Sequence, residues 1–200
     1  MIDSIPIAIL TGGHSTRMGQ PKHSLNYGSG VHWRRLLTEL QPGNKVYFAI
    51  RNEQVTQFWG HRYIVDKYAD CGPMGAILGL LESLDCDVCV AGCDMPMLKR
   101  EHFDVLRAAH GQSGALITCA TSGEGSKPEP MFSAWSPRIR TSLQKALQAG
   151  EYGLRRFLSA REVSCVNFAP YVVANINSPG DMALLKPDGQ FYVSGNSEVK

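Results

Sequence analysis

The chain has 200 residues, 44% of them hydrophobic and 19% charged, with a formal net charge of +2. That length suits one domain with a substantial core, and those proportions belong to globular chains rather than disordered or fibrous ones. So small a net charge gives no footing for nucleic acid or a membrane surface as partner, and a small-molecule ligand is expected instead.

The opening residues Met1-Ile-Asp-Ser-Ile-Pro6 carry neither a basic segment nor a cleavable apolar stretch, and no run of about 18 apolar residues occurs anywhere. A cytoplasmic location is expected. The six cysteines, Cys71, Cys86, Cys89, Cys93, Cys119 and Cys165, are even in number. A chain of this size and core content does not need disulfide staples, so free thiols are expected.

Residues 5–11 hold a short continuous apolar run, the pattern of a strand buried on both faces. Trp33, Leu36, Leu37 and Leu40 recur at helical spacing and predict a helix over 32–41, closed by Pro42-Gly43. Strands are expected at 45–50 and 63–65, with a helix opening at Arg51 between them. Gly72-Pro-Met-Gly75 opens a further helix, with its proline placed for the first turn and Ile77, Leu80, Leu81 and Leu84 forming an apolar stripe.

A central strand over 87–92 runs into Cys93-Asp-Met-Pro96. A helix at 101–110, a strand at 115–119, a polar loop at 121–130 and a strand at 131–135 follow. Ile139, Leu143, Ala146 and Leu147 mark another helix, residues 153–158 a helical turn, and 163–168 a late strand. Residues 172–177 lead to a helix capped by Ser178 with Pro179 at its first position. Residues 186–200 show no helical stripe and are expected as a loose tail behind a domain spanning 1–185. This alternation predicts an α/β fold of three layers, a mostly parallel central sheet with helices on both faces.

The stretch with the most chemistry is Leu10-Thr-Gly-Gly-His-Ser-Thr-Arg-Met-Gly-Gln-Pro-Lys22, directly after the first strand. Adjacent glycines leave backbone N–H groups open to phosphate oxygens. Arg17 offers a planar fork for two oxygens and Lys22 a compact point charge, so the loop suits a polyphosphate. The spacing fits neither the P-loop pattern nor the dinucleotide fingerprint, because Gly12 and Gly13 are adjacent and the next glycine is Gly19.

The stretch resembles the Leu-x-Gly-Gly-x-Ser-x-Arg-Met-Gly-x-x-Lys signature of nucleotidyltransferases, in particular the molybdenum cofactor guanylyltransferases of the MobA family. The resemblance covers about residues 5–185 and implies a Rossmann-like nucleotidyltransferase fold. It implies transfer of GMP from GTP to the phosphate of molybdopterin or the molybdenum cofactor, with release of pyrophosphate and with Mg²⁺ as cofactor. It also implies cofactor-delivering and receiving molybdoenzyme proteins as partners.

In an open parallel sheet, ligands sit over the carboxyl ends of the strands, so polar residues just after strands carry most weight. Asp94 follows a buried apolar strand, where a carboxylate is costly unless paired or bound to a cation. Its segment Cys93-Asp-Met-Pro96 resembles the family's magnesium-holding Cys-Asp-x-Pro, and an aspartate capping the next turn is the alternative.

Asp66 and Gly72-Pro-Met-Gly75 resemble the family segment bordering the guanine pocket. A carboxylate there can accept two hydrogen bonds from a guanine edge, while ribose contact stands as an alternative. Asn175-Ile-Asn-Ser-Pro179 matches an Asn-x-Asn-x-Pro segment, whose alternating amides can complete a metal or phosphate shell. Glu129-Pro130 fits the pterin-side segment.

The resemblance thus assigns catalysis to Arg17, Lys22 and Asp94, with Asp94 as metal ligand. Nucleotide binding falls to Leu10, Thr11, Gly12, Gly13, Ser15, Lys22, Asp66, Gly75 and Asp94, and the pterin side to Glu129, Asn175 and Asn177. The attacking phosphate is already an anion, so a positioning mechanism without a strong general base is expected.

Departures from the family pattern are also present. Thr11 stands where alanine is common. The family asparagine of the second strand aligns with Phe48, so that guanosine contact is either missing or supplied by Arg51 or Asn52, and the turn Asn26-Tyr-Gly-Ser-Gly30 is shorter than usual on its polar side.

Cys86-x-x-Cys89-x-x-x-Cys93 has the spacing of a metal motif, but an extended stretch sends Cys86 and Cys89 to opposite faces. The alternatives are a cytidylyltransferase acting on the same acceptor or a sugar-nucleotide pyrophosphorylase. From another class, the alternative is a non-catalytic nucleotide-binding regulatory module.

Overall fold

The computed structural model describes residues 5–11, 26–27, 30–68, 70–123 and 125–176. The expected phosphate loop with Gly12, Gly13, Ser15, Arg17 and Lys22 lies outside the described residues, as do Asn177, the helix expected at Ser178 and the tail expected from 186.

The first strand, β1 (Ile7–Leu10), is followed by a small antiparallel ribbon of β2 (Asn26–Tyr27) and β3 (Gly30–Val31). Helix α1 (His32–Leu40) and strand β4 (Val46–Ile50) come next, then a 3-10 helix over Asn52–Phe58 and strand β5 (Tyr63–Val65). Helix α2 (Gly72–Leu84), strand β6 (Val88–Gly92) and helix α3 (Arg100–Ser113) continue the alternation. Strands β7 (Ile117–Thr121) and β8 (Glu129–Trp135) precede helices α4 (Arg140–Gln148) and α5 (Leu154–Ser159), and β9 (Ser164–Asn167) closes the sheet.

The seven-stranded sheet runs β5-β4-β1-β6-β8-β7-β9. Every neighbouring pair is parallel except the two that β8 makes with β6 and β7. Successive residues of β1 explain why it is apolar throughout. Ile7 and Ile9 pack with Trp33, Leu36 and Leu40 of α1 and Phe103 and Leu106 of α3 on one face. Ala8 and Leu10 pack with Met74 to Leu81 of α2, Leu143 of α4 and Phe157 of α5 on the other. Three layers result, as the alternation of elements predicts.

The observed elements differ from expectation mainly at their ends. The seventh strand extends to Thr121 and the eighth begins at Glu129, so the polar loop between them is shorter than residues 121–130. The helix marked by Ile139 is preceded by a 3-10 turn over Pro137–Ile139, because Pro137 follows Ser136, whose hydroxyl accepts from the Arg138 N–H. Helix α2 ends at Asp85, a left-handed residue with φ 47°, whose N–H caps the Leu81 carbonyl.

All six cysteines are free thiols, and Cys89 and Cys119 are wholly buried, which pushes the Cys89 thiol up to about 12 and that of Cys119 further still. Among the described residues no helix is long and apolar enough to cross a membrane.

Candidate active site

The parallel strands set the site. Leu10 pairs with Ala49 on one side and Gly92 on the other, and Ile50 pairs with Val65. The carboxyl ends of β5, β4, β1 and β6 therefore lie side by side and carry, in spatial order, Asp66, Arg51, Thr11 and Asp94. Four polar residues from separated stretches meet on this one rim.

Each residue is held there by backbone bonds that continue the ladder past the strand ends. Asp66 N–H donates to the Ile50 carbonyl over 2.8 Å, Thr11 N–H to Ala49 over 3.1 Å, and Cys93 N–H to Leu10 over 3.1 Å. The Leu10 side chain is buried in the core and its carbonyl is engaged by Cys93, so this residue shapes the rim from beneath.

The Thr11 hydroxyl donates to the Ala49 carbonyl at 2.8 Å and lies 3.4 Å from Gln54 Oε1. The same Gln54 oxygen accepts the Arg51 N–H at 2.8 Å. A buried glutamine thus joins Thr11, the residue before the expected phosphate loop, to the residue after β4. Phe48, expected to align with an asparagine, is fully buried in an aromatic cluster, with ring centroids 5.4 Å from Trp33 and 4.7 Å from Phe58. It makes core, and Arg51 is the polar group at that strand end.

Asp66 is half-buried, and one of its oxygens, Oδ1, accepts the Tyr68 N–H over 2.9 Å. Burial pushes its carboxyl above the ordinary carboxylate range, while the Tyr68 N–H and the nearby Arg51 guanidinium pull it back and Asp70 adds to the rise. Gly75, expected in the nucleotide pocket, meets Tyr68. A Cβ built on it falls 2.8 Å from both Tyr68 Cβ and the Tyr68 carbonyl oxygen, so only glycine lets this segment lie against α2.

Asp94 sits in the turn after β6, and Gly92 makes room for it. A Cβ at Gly92 falls 2.5 Å from Asp94 Oδ1. The Asp94 carbonyl accepts the Ile176 N–H over 2.8 Å, which brings Asn175 to the same corner.

Glu129 reaches the rim because β8 runs opposite to its neighbours, so its first residue falls where the others end. A register shift between Cys119 and Ala120 sets Glu129 opposite Ala120, at Pro130, which has no N–H for the ladder. The Glu129 side chain, 12% exposed, is 3.2 Å from Arg155 Nη2 through Oε2. That oxygen also accepts from Asn175 Nδ2 at 3.4 Å, while Oε1 accepts the Met131 N–H at 3.1 Å. Two of the three residues expected on the pterin side are thus in contact, and the third, Asn177, lies outside the described residues.

A family model described as the MobA-like NTP transferase domain matches residues 7–165. The chain belongs to the MobA-like NTP transferase family. It is similar to a molybdenum cofactor guanylyltransferase of Pseudomonas putida, 32% identical over 192 residues that cover 90% of this chain and 97% of the relative. It is also similar to one of Shewanella frigidimarina, 30% identical over 189 residues covering 90% and 94%.

Among solved structures, molybdopterin-guanine dinucleotide biosynthesis protein A from Archaeoglobus fulgidus shares the fold, with a TM-score of 0.78 at 21% identity, covering 90% of this chain and 95% of that one. Like the rest of the family, this MobA-like chain is a nucleotidyltransferase enzyme, and its sheet is the one expected of that fold.

Nucleotidyltransferases generally use a divalent metal, and the donors at the Asp94 corner suit one. Asn175 Oδ1 is buried and accepts no hydrogen bond among the described residues. It belongs to the segment whose backbone is bonded to the Asp94 carbonyl, and a carboxylate and an amide oxygen are both hard donors. Among the described residues no group of three or more His, Cys, Asp and Glu side chains is placed to hold a metal.

Two residues of this MobA-like site escape sequence reasoning. Gly92 ends a buried strand immediately before Cys93-Asp94, and a glycine at that place is itself a sign of close approach. Arg155 gives no such sign, because only the packing of α5 beside the start of β8 brings it to Glu129.

Proposed function

We propose that this MobA-like chain transfers GMP from GTP to the phosphate of molybdopterin, metal-free or molybdenum-bound, in the cytoplasm, and hands the dinucleotide to a receiving molybdoenzyme. An oxygen of the acceptor phosphate attacks the α-phosphorus of GTP, the bond to the β-phosphate breaks, and pyrophosphate leaves. The observation that carries the reading is the single rim on which Thr11, Arg51, Asp66 and Asp94 meet, with Glu129 and Asn175 joined to it at the Asp94 corner.

In this reading the roles follow from the family resemblance and the chemistry of each side chain. Asp94, with Asn175 beside it, holds a divalent cation, Mg²⁺ in this reading, which neutralises phosphate charge when bound. Arg17 and Lys22 take up the charge that builds on the leaving pyrophosphate. Gly12, Gly13 and Ser15 offer backbone and hydroxyl donors to the phosphates, and Asp66 accepts from the nucleoside. Glu129, Arg155, Asn175 and Asn177 orient the pterin-side acceptor.

Calorimetry with each nucleoside triphosphate, with and without Mg²⁺, tests the nucleotide half of this proposal. Selective, magnesium-dependent GTP binding is expected. A preference for CTP or a uridine or thymidine nucleotide assigns the chain to a sister branch, and binding without any turnover favours a regulatory module.

A further inference from the structure

Tyr68 is tied down at both ends. Its backbone N–H donates to Asp66 Oδ1 at 2.9 Å, and its carbonyl accepts from the Cys71 N–H at 3.2 Å. Its Cβ lies over Gly75, where no side chain fits between them. At the far end its hydroxyl donates to Glu82 Oε1 over 2.7 Å, and Gln144 Nε2 of α4 donates to the same oxygen over 3.1 Å. One carboxylate oxygen therefore joins the segment after β5 to two helices of the layer beneath it.

We infer that Tyr68, Glu82 and Gln144 form a positioning device for Asp66, holding the segment after β5 so that the Asp66 carboxylate faces the nucleoside. The Tyr68–Glu82 bond anchors the side chain of the residue whose N–H bonds Asp66 Oδ1, so its loss leaves that backbone held only by the Cys71 N–H and the contact with Gly75. None of the three is assigned a nucleotide contact in this reading. Their effect passes through Asp66, and the inference rests on the reading of Asp66 as a nucleoside contact.

The consequence is a specificity effect rather than a chemical one. Loss of a single positioning hydrogen bond, about 0.5–1.5 kcal/mol, corresponds to roughly a 2- to 10-fold change in affinity. It falls on nucleotide binding, while the reacting phosphates and the Asp94 corner keep their geometry.

The test uses Tyr68→Phe, Glu82→Ala, Glu82→Gln and Asp66→Asn in the whole chain, with thermal unfolding followed for each. GTP dissociation constants and the steady-state KM and kcat at saturating acceptor are measured. Tyr68→Phe removes only the hydroxyl and keeps the packing on Gly75, so it tests the link even where Glu82→Ala disturbs the helix.

The expected result is weaker GTP binding and a higher KM in Tyr68→Phe and Glu82→Ala, by roughly 2- to 10-fold, with kcat within about twofold. Glu82→Gln, which keeps an acceptor oxygen for Tyr68 and Gln144, restores the wild-type values. Unchanged GTP affinity in Tyr68→Phe and Glu82→Ala, alongside weakened affinity in Asp66→Asn, overturns the positioning role. Unchanged affinity in Asp66→Asn removes the reading of Asp66 itself, and the inference with it.

Discussion

The Ile176 N–H donates to the Asp94 carbonyl over 2.8 Å, so a segment near the end of the described chain is pinned to the turn after the central strand β6. The residue before Ile176 is Asn175, whose amide oxygen is buried, so its backbone lies beside the Asp94 turn. Backbone from the middle of the chain and from its last fifth thereby meet at one place.

Asp94→Asn keeps the shape of the side chain and removes its charge. Turnover is expected to fall at least ~100-fold, the scale of losing one group that stabilises transition-state charge, with the fold retained. Gly92→Ala is expected to lower turnover by a steric route, since its Cβ position is 2.5 Å from Asp94 Oδ1. Pyrophosphate release, with circular dichroism as the check on folding, measures both.

Thr11→Ala gives this chain the residue common in the family and removes the hydroxyl that donates to Ala49. One buried hydrogen bond is worth about 1 kcal/mol, which in a chain of this size lowers the melting temperature by about 2–4 °C. The backbone bond from Thr11 N–H to the same carbonyl persists, so turnover is expected to stay close to wild type. Thermal unfolding and a turnover assay on one preparation check both halves.

Gly75→Ala forces a Cβ to within 2.8 Å of the Tyr68 carbonyl oxygen, a backbone atom that yields only if the segment after β5 shifts. Overpacking of this kind costs about 1–3 kcal/mol. The KM for GTP is expected to rise with it, because the shift carries Asp66 along. A variant with wild-type stability and KM would contradict this account of the glycine.

Asp66 gives the site a pH dependence whose sign can be worked out. Burial raises its carboxyl pKa in the folded chain, so the protonated form is favoured by folding. Its contribution to stability is present below the unfolded pKa and is lost as pH rises through the raised folded value. GTP binding runs the other way, since the accepting carboxylate is lost on acidification. Affinity is expected to fall as pH drops through that raised value, above the ordinary aspartate range, and Asp66→Asn is expected to flatten both dependences. Calorimetry and chemical denaturation across a pH series measure them.

The fold was legible where burial alone decides structure. Ile7 to Leu10 are apolar because both faces of β1 are covered, and Trp33, Leu36 and Leu40 recur because one side of α1 meets the sheet. Asp66 and Asp94 were legible as carboxylates placed just after strands.

Roles made by distant contacts were not. Nothing local to Glu129-Pro130 says that β8 runs against its neighbours, yet that reversal delivers Glu129 to the rim. Arg155 lies in a short helix whose apolar residues announce only packing, and its contact with Glu129 exists only in the folded chain. Gly75 was visible as a motif glycine, but its reason, the proximity of Tyr68, was not.

The measurement that bears most directly on the proposed activity is product identification by mass spectrometry after incubating the chain with GTP, Mg²⁺ and molybdopterin. The account predicts a molybdopterin guanine dinucleotide formed one for one with pyrophosphate, and almost none with Asp94→Asn. A dinucleotide formed from CTP in preference to GTP, or GTP consumed with no nucleotide joined to the pterin phosphate, would contradict it.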